Sequence, residues 1–193
     1  TSYSRNIDYA ALRAIADEAE AILWVDAAHT AGLVAAGVAP SPVPHADVVT
    51  AVTHKVLRGP RGGIILAAGR HASALQKAVF PFIQGGPAMN VIAGKAICFA
   101  ESAQPDFADY AAAAVRAAQR LSDELGQRGL RVVSGGTDIH LAVVDVTSTG
   151  LTGLEAQQRL DAAGIVVDKA VLPFDPQPPS QGSAIRFGTP AAV

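Results

Sequence analysis

Two charged side chains stand where apolar runs end. Asp26 closes the run Ala21-Ile-Leu-Trp-Val-Asp26, and Lys55 follows Asp47-Val-Val-Thr-Ala-Val-Thr-His54. Directly after Lys55 comes Val56-Leu-Arg-Gly-Pro-Arg-Gly-Gly63, with two arginines, a proline and three glycines. A lysine amine can condense with an aldehyde to form a Schiff base. A carboxylate facing a pyridine nitrogen keeps that nitrogen protonated and deepens an electron sink. Glycine N–H groups can approach and cradle a phosphate. An acid and a lysine at two strand ends, with glycine-rich turns nearby, are therefore the minimum set for pyridoxal phosphate. Spacing alone leaves two plainer readings open: Lys55 as a surface lysine after a strand, and Asp26 as a helix cap.

The positioning elements can be read from the pattern around these residues. The β-branched run at 47–53 suits a buried strand, and Pro60 with its neighbouring glycines ends it. The run at 21–26 suits a second strand buried on both faces, and Gly62-Gly-Ile-Ile-Leu-Ala67 a third. Asp8 can cap a helix over residues 8–20, with Leu12, Ile15, Ala16 and Ala19 on one face. Residues 27–34 read as a loop and weak helix, and Pro40-Ser-Pro-Val-Pro-His45 as a rigid connector. Helices are expected at 71–78, 88–103, 106–128 and 153–163, and further strands at 130–134, 139–147, 165–168 and 184–188. Alternating strands and helices in the first half imply a mostly parallel, doubly wound α/β sheet. In such sheets ligands sit at the carboxyl ends of strands, where Asp26 and Lys55 both lie. Gln104-Pro105 breaks the pattern. It divides the chain into a domain over 1–104 and a smaller α+β domain over 105–193, incomplete at its end.

Composition narrows the class. Half of the 193 residues are hydrophobic and 17% charged, as in a well-buried globular protein. A net charge of −2 provides neither a nucleic-acid footprint nor a polybasic membrane patch. No apolar window is long enough for a membrane span, and no signal-peptide pattern is visible. Cys98 is the only cysteine; it cannot form an internal disulfide, and a reducing, cytoplasmic setting is expected. The chain opens Thr1-Ser2-Tyr3 without methionine and closes on Gly188-Thr-Pro-Ala-Ala-Val193, so a piece of a longer chain is expected.

Four segments carry a resemblance to the serine hydroxymethyltransferases. They are Val25-Asp-Ala-Ala-His-Thr-Ala-Gly-Leu-Val34 with its continuation to Thr50, Thr53-His-Lys-Val-Leu-Arg-Gly-Pro-Arg-Gly-Gly63, Gln84-Gly-Gly-Pro87, and Ile185-Arg-Phe-Gly-Thr-Pro-Ala191. They lie in one collinear order across essentially the whole chain. The resemblance implies the aspartate-aminotransferase-like fold type I of pyridoxal 5'-phosphate-dependent transferases, and a cytoplasmic homodimer or tetramer with the site at the subunit interface. It implies interconversion of serine plus tetrahydrofolate with glycine plus 5,10-methylenetetrahydrofolate. Lys55 would form the Schiff base, Asp26 would face the pyridine nitrogen, and His29 would lie against the ring. His54 would set the local hydrogen-bond network. Gly85 and Gly86 would meet the phosphate of the neighbouring subunit's cofactor, and Thr1 falls where the family has a serine or threonine near the cofactor. Arg186 would clamp the amino-acid carboxylate, with Arg61 in support. No metal is implied. Plainer readings stand beside these: packing for His29 and His54, a simple turn for Gly85-Gly86, a surface ion pair for Arg186, and loop bracing for Arg58 and Arg61.

The chain departs from the family pattern mainly around substrate handling. Val52 and Val56 replace hydroxyl residues on either side of His54-Lys55. Phe82 stands where glycine is usual in a Phe-Pro-Gly turn, which would strain a turn needing positive φ. Asn90 replaces a histidine. Asp168-Lys-Ala170 replaces Asn-Lys-Asn, removing an amide expected to contact the pterin. The family's N-terminal portion is absent, so this polypeptide alone is expected to be unstable or to need its missing half. Loss of the amide at Ala170 would permit a folate-independent β-hydroxy amino-acid aldolase, and the missing half would permit an inactive remnant.

Overall fold

The computed structural model describes residues 3–193; Thr1, expected near the cofactor, lies outside them. The described residues form two compact units. One comprises Ile7–Asp109, and the other comprises residues 3–6 with Tyr110–Val193.

In the N-terminal unit, α1 (Tyr9–Glu18) begins where expected, with Asp8 Oδ1 accepting the Ala11 N–H at 2.9 Å. It buries Tyr9 and Ala16, while Leu12 and Ile15 remain exposed. Then come β1 (Trp24–Asp26), the short α2 (Ala31–Ala35), β2 (Val48–Val52) and β3 (Gly63–Ala67). β1 pairs parallel to β2, with Asp26 opposite Thr50. β3 instead runs antiparallel to β2, with Val52 opposite Gly63. The sheet is therefore mixed, and the expected parallel arrangement holds only for the β1–β2 pair. The reason is local: a parallel return needs a crossover of about a dozen residues or more, usually a helix. Residues 53–62 form a compact turn instead. The unit is completed by α3 (Gly69–Lys77), an irregular turn over Ala78–Ile83 interrupted by extended backbone at Phe80, α4 (Met89–Ser102) and the start of α5 (Pro105–Gln127). Phe82 is not among the residues with positive φ, so the strain expected there is absent.

The two ends of β2 are built differently. At its amino end Asp47 is buried among cations. Arg13 Nη1 and the Leu23 N–H reach Oδ2 at 2.7 and 2.9 Å, while Arg70 and His71 face Oδ1. The Leu23 N–H, followed by Arg13, holds the Asp47 carboxyl well below the usual aspartate range. At the carboxyl end the chain leaves the sheet into the Lys55 loop.

The C-terminal unit is a four-stranded antiparallel sheet in the order β4-β5-β7-β6: β4 (Arg131–Val132), β5 (Leu141–Asp145), β7 (Ala184–Gly188) and β6 (Asp168–Ala170). β4 is shorter than the run expected at 130–134, because Ser134, Gly135 and Gly136 all adopt positive φ and end it. Every residue of β5 is buried. Ala142, Val144, Val167 and Phe187 form one core, against which Leu125 of α5 and Leu160 of α6 (Gly153–Ala162) pack. Ala111, Ala114, Ala118 and Ser122 make a buried stripe of small residues along α5, where Thr189 donates to the Ala114 carbonyl at 2.5 Å. The spacing is that of one helix face. The loop before β7 is drawn around Asp175. Burial opposes its ionisation, yet the Ser183 hydroxyl and the N–H groups of Leu172, Gln177 and Ser183 hold its carboxyl down to about 2. Residues 3–6 lace onto this unit, with Ser4 donating to the Gly136 carbonyl and Arg5 paired with Asp138.

Candidate active site

Parallel pairing of β1 and β2 brings Asp26 and the chain leading to Lys55 out at the same end of the sheet. The Asp26 carboxylate is exposed. Its Oδ1 accepts the Ala28 N–H at 2.9 Å, and its Oδ2 makes no hydrogen bond to a described residue. His29 sits in the turn three residues on, just before α2. Burial pushes the hydroxyl of Tyr9, on α1, up, and the neighbouring Thr30 side chain opposes the shift.

The Lys55 loop is clamped from several sides. Thr53, fully buried, donates its hydroxyl to the Pro60 carbonyl at 2.5 Å, while its backbone carbonyl accepts the Gly59 N–H at 2.8 Å. The Lys55 carbonyl accepts the Arg58 N–H at 2.8 Å, closing a turn in which Arg58 takes φ +58°. The Arg58 guanidinium lies 5.7 Å from the Phe107 ring centroid, the separation of a cation–π contact, so Arg58 braces the loop. Cys98 of α4 reaches the Leu57 carbonyl through Sγ at 3.3 Å. Val56 is buried against Gly32 of α2 so closely that a Cβ at Gly32 would meet the Val56 Cγ1 at 2.6 Å and its carbonyl carbon at 2.8 Å. Where the family pattern has a hydroxyl after the lysine, this chain has a packing contact.

Held this way, the half-buried Lys55 makes no hydrogen bond or ion pair to a described residue. His54 lies beside it with Nε2 3.4 Å from Arg61 Nη1, and with a buried Nδ1 that has no hydrogen-bond partner among the described residues. An uncommitted amine and an exposed carboxylate at the neighbouring strand end are two groups a pyridoxal phosphate would satisfy. The residues present fit that cofactor.

Other expected site residues belong to other elements. Gly85 and Gly86 are exposed in the segment before α4, and a Cβ on either would meet nothing within 4 Å. Arg186 belongs to the C-terminal unit, on β7. Its Nη2 donates to Asp168 Oδ2 at 2.5 Å from the directly opposite position on β6. The ion-pair reading of Arg186 is thus realised, with a partner not anticipated from the sequence.

Several residues important to the loop were also not anticipated. Thr53, Gly32, Cys98 and Phe107 hold Lys55 in place; only Thr53, adjacent to His54-Lys55, carried a signal in the sequence.

An α/β sheet presenting a lysine and an aspartate beyond adjacent strand ends carries the two groups that an aldehyde cofactor with a pyridine ring requires. The family model described as serine hydroxymethyltransferase matches residues 1–193, and the chain belongs to that family, whose members depend on pyridoxal phosphate and use tetrahydrofolate as co-substrate. It is 55% identical over 190 residues to the serine hydroxymethyltransferase of Coprothermobacter proteolyticus, a match covering 98% of this chain and 46% of that protein. The chain therefore spans about half the length of this relative.

Proposed function

We propose that this chain is the cofactor-anchoring part of an enzyme interconverting serine plus tetrahydrofolate with glycine plus 5,10-methylenetetrahydrofolate. The observation that carries the reading is the uncommitted Lys55 amine on a clamped loop, beside the strand end that bears Asp26. Family membership and the name of the relative favour this transferase over the folate-independent aldolase and the inactive remnant.

When bound, pyridoxal phosphate supplies an electron-withdrawing ring that stabilises negative charge developing at the substrate α-carbon. Lys55 Nζ would be the amine that holds the cofactor aldehyde. Asp26 would hold a proton at the pyridine nitrogen, for which its Oδ2, unpaired among the described residues, is available. His29 would lie against the ring, and His54 would orient the groups around Lys55 through its contact with Arg61. Arg186 binds the amino-acid carboxylate, a planar guanidinium being suited to bidentate recognition; Arg61 supports substrate binding. The protein acts as a cytoplasmic homodimer or tetramer in which Gly85 and Gly86 approach the phosphate of the neighbouring subunit's cofactor. Their open surroundings support that role. Among the described residues, no helix is long and apolar enough to cross a membrane. Residues 1–104 belong to the cofactor-binding large domain, and residues 105–193 to the smaller one.

The test uses the full-length protein that carries this chain. Addition of pyridoxal phosphate should produce the visible absorbance band of a lysine-bound cofactor, and Lys55→Ala should abolish it. An equal band in the variant would overturn the assignment.

A further inference from the structure

Arg186 is not an empty carboxylate receptor. β6 and β7 run antiparallel with Asp168 directly opposite Arg186, so both side chains stand on the same face. Asp168 Oδ2 accepts from Arg186 Nη2 at 2.5 Å, an ion pair open to solvent on the Asp168 side. The pair lines an open hollow of about 420 Å³ together with Gln157, Lys169, Ala170 and Val171. Arg186 is about one-quarter exposed and Asp168 about two-thirds, so the carboxylate sits on the solvent side of the guanidinium. It covers a donor that an incoming carboxylate would use. Aspartate is also β6's first residue and the sheet's edge, where nothing in the core needs its charge.

Building on the assignment of Arg186 as the carboxylate ligand, we propose that Asp168 is a specificity-determining residue acting as an internal competitor. It occupies Arg186 until an amino-acid carboxylate displaces it, which weakens the binding of α-amino carboxylates and leaves amines without a carboxylate unaffected. An exposed ion pair is weak enough to be exchanged in this way. The exchange moves no covalent bond: one carboxylate–guanidinium contact replaces another, and Asp168 swings into solvent.

The test measures glycine binding to the cofactor-loaded, full-length protein in wild type, Asp168→Asn, Asp168→Glu and Arg186→Ala. Asp168→Asn keeps the side chain's size and hydrogen-bonding capacity but removes its charge. It should tighten glycine about two- to fivefold, the equilibrium factor of an exposed pair. For serine the change should fall in KM rather than kcat. Asp168→Glu should return glycine affinity to within about twofold of wild type, added salt should narrow the gap, and methylamine should bind wild type and Asp168→Asn alike. A purely structural Asp168 would give weaker or unchanged binding on neutralisation, and either result overturns the inference while Arg186→Ala still loses glycine. If Arg186→Ala leaves glycine binding intact, the carboxylate assignment fails and the inference falls with it.

Discussion

All five residues of β5 in the C-terminal unit are buried, whereas no residue of β3 in the N-terminal unit is fully buried. Trp24, Ile65 and Leu66 on the N-terminal sheet are 59%, 44% and 48% exposed; Phe187 on the C-terminal sheet is 7% exposed. A hollow of about 380 Å³ lined by Val34, Val49, Leu57, Ile64, Leu66 and Phe99 continues that apolar surface. The unit carrying Asp26 and Lys55 is thus the less sealed one. Its Lys55 loop is held by local clamps: the Thr53 hydrogen bonds, the Gly32–Val56 contact, Cys98 behind Leu57, and Phe107 against Arg58. In the C-terminal unit the order is reversed. The central strand is buried throughout, and Arg186, the proposed carboxylate ligand, lies on a partly exposed face with Asp168 as a partner.

The contrast can be broken at its extremes. Phe187→Ala removes a side chain from the closed core and should cost about 3–5 kcal/mol in urea unfolding. A cost below ~1 kcal/mol would show that the core is not what holds that unit. Gly32→Ala tests the clamp. Its Cβ would collide with both the side chain and the backbone of Val56, so it should destabilise the protein by about 1–3 kcal/mol and weaken pyridoxal phosphate binding in a cofactor titration. Adding Val56→Ala should restore part of the loss, because the Val56 side chain supplies the closest contact but not the only one. Full tolerance of Gly32→Ala would mean that the loop is not fixed from α2. The smallest effect is expected at Leu66→Ala, within about 0.5 kcal/mol in the same urea assay. A larger loss would show Leu66 to be better packed than its exposure indicates.

Much of the candidate site's placement was legible because strand ends announce themselves. The valine- and threonine-rich run broken by Pro60 and its glycines marked β2, with Lys55 three residues beyond its last residue, and the apolar run closing on Asp26 marked β1. Strand direction was less legible. Composition does not encode whether β3 returns parallel or antiparallel, although the lack of a helical segment between 53 and 62 is itself a signal. The α1 pattern placed Leu12 and Ile15 on one apolar face, but such spacing identifies a face and not what covers it, and both are exposed. Partnerships across the sequence were not legible at all. Asp47 draws its cations from α1 and α3, and Asp168 meets Arg186 only because the β6–β7 register sets them opposite. No local pattern records such a register.

The central claim is that Lys55, fixed by its clamped loop, is the covalent anchor of the cofactor. Borohydride reduction of the pyridoxal phosphate-loaded full-length protein, followed by peptide mass spectrometry, tests it directly by converting the lysine–aldehyde linkage into a stable amine. The account predicts a phosphopyridoxyl label on Lys55. A label on Lys77, Lys95 or Lys169 with Lys55 unmodified would contradict it.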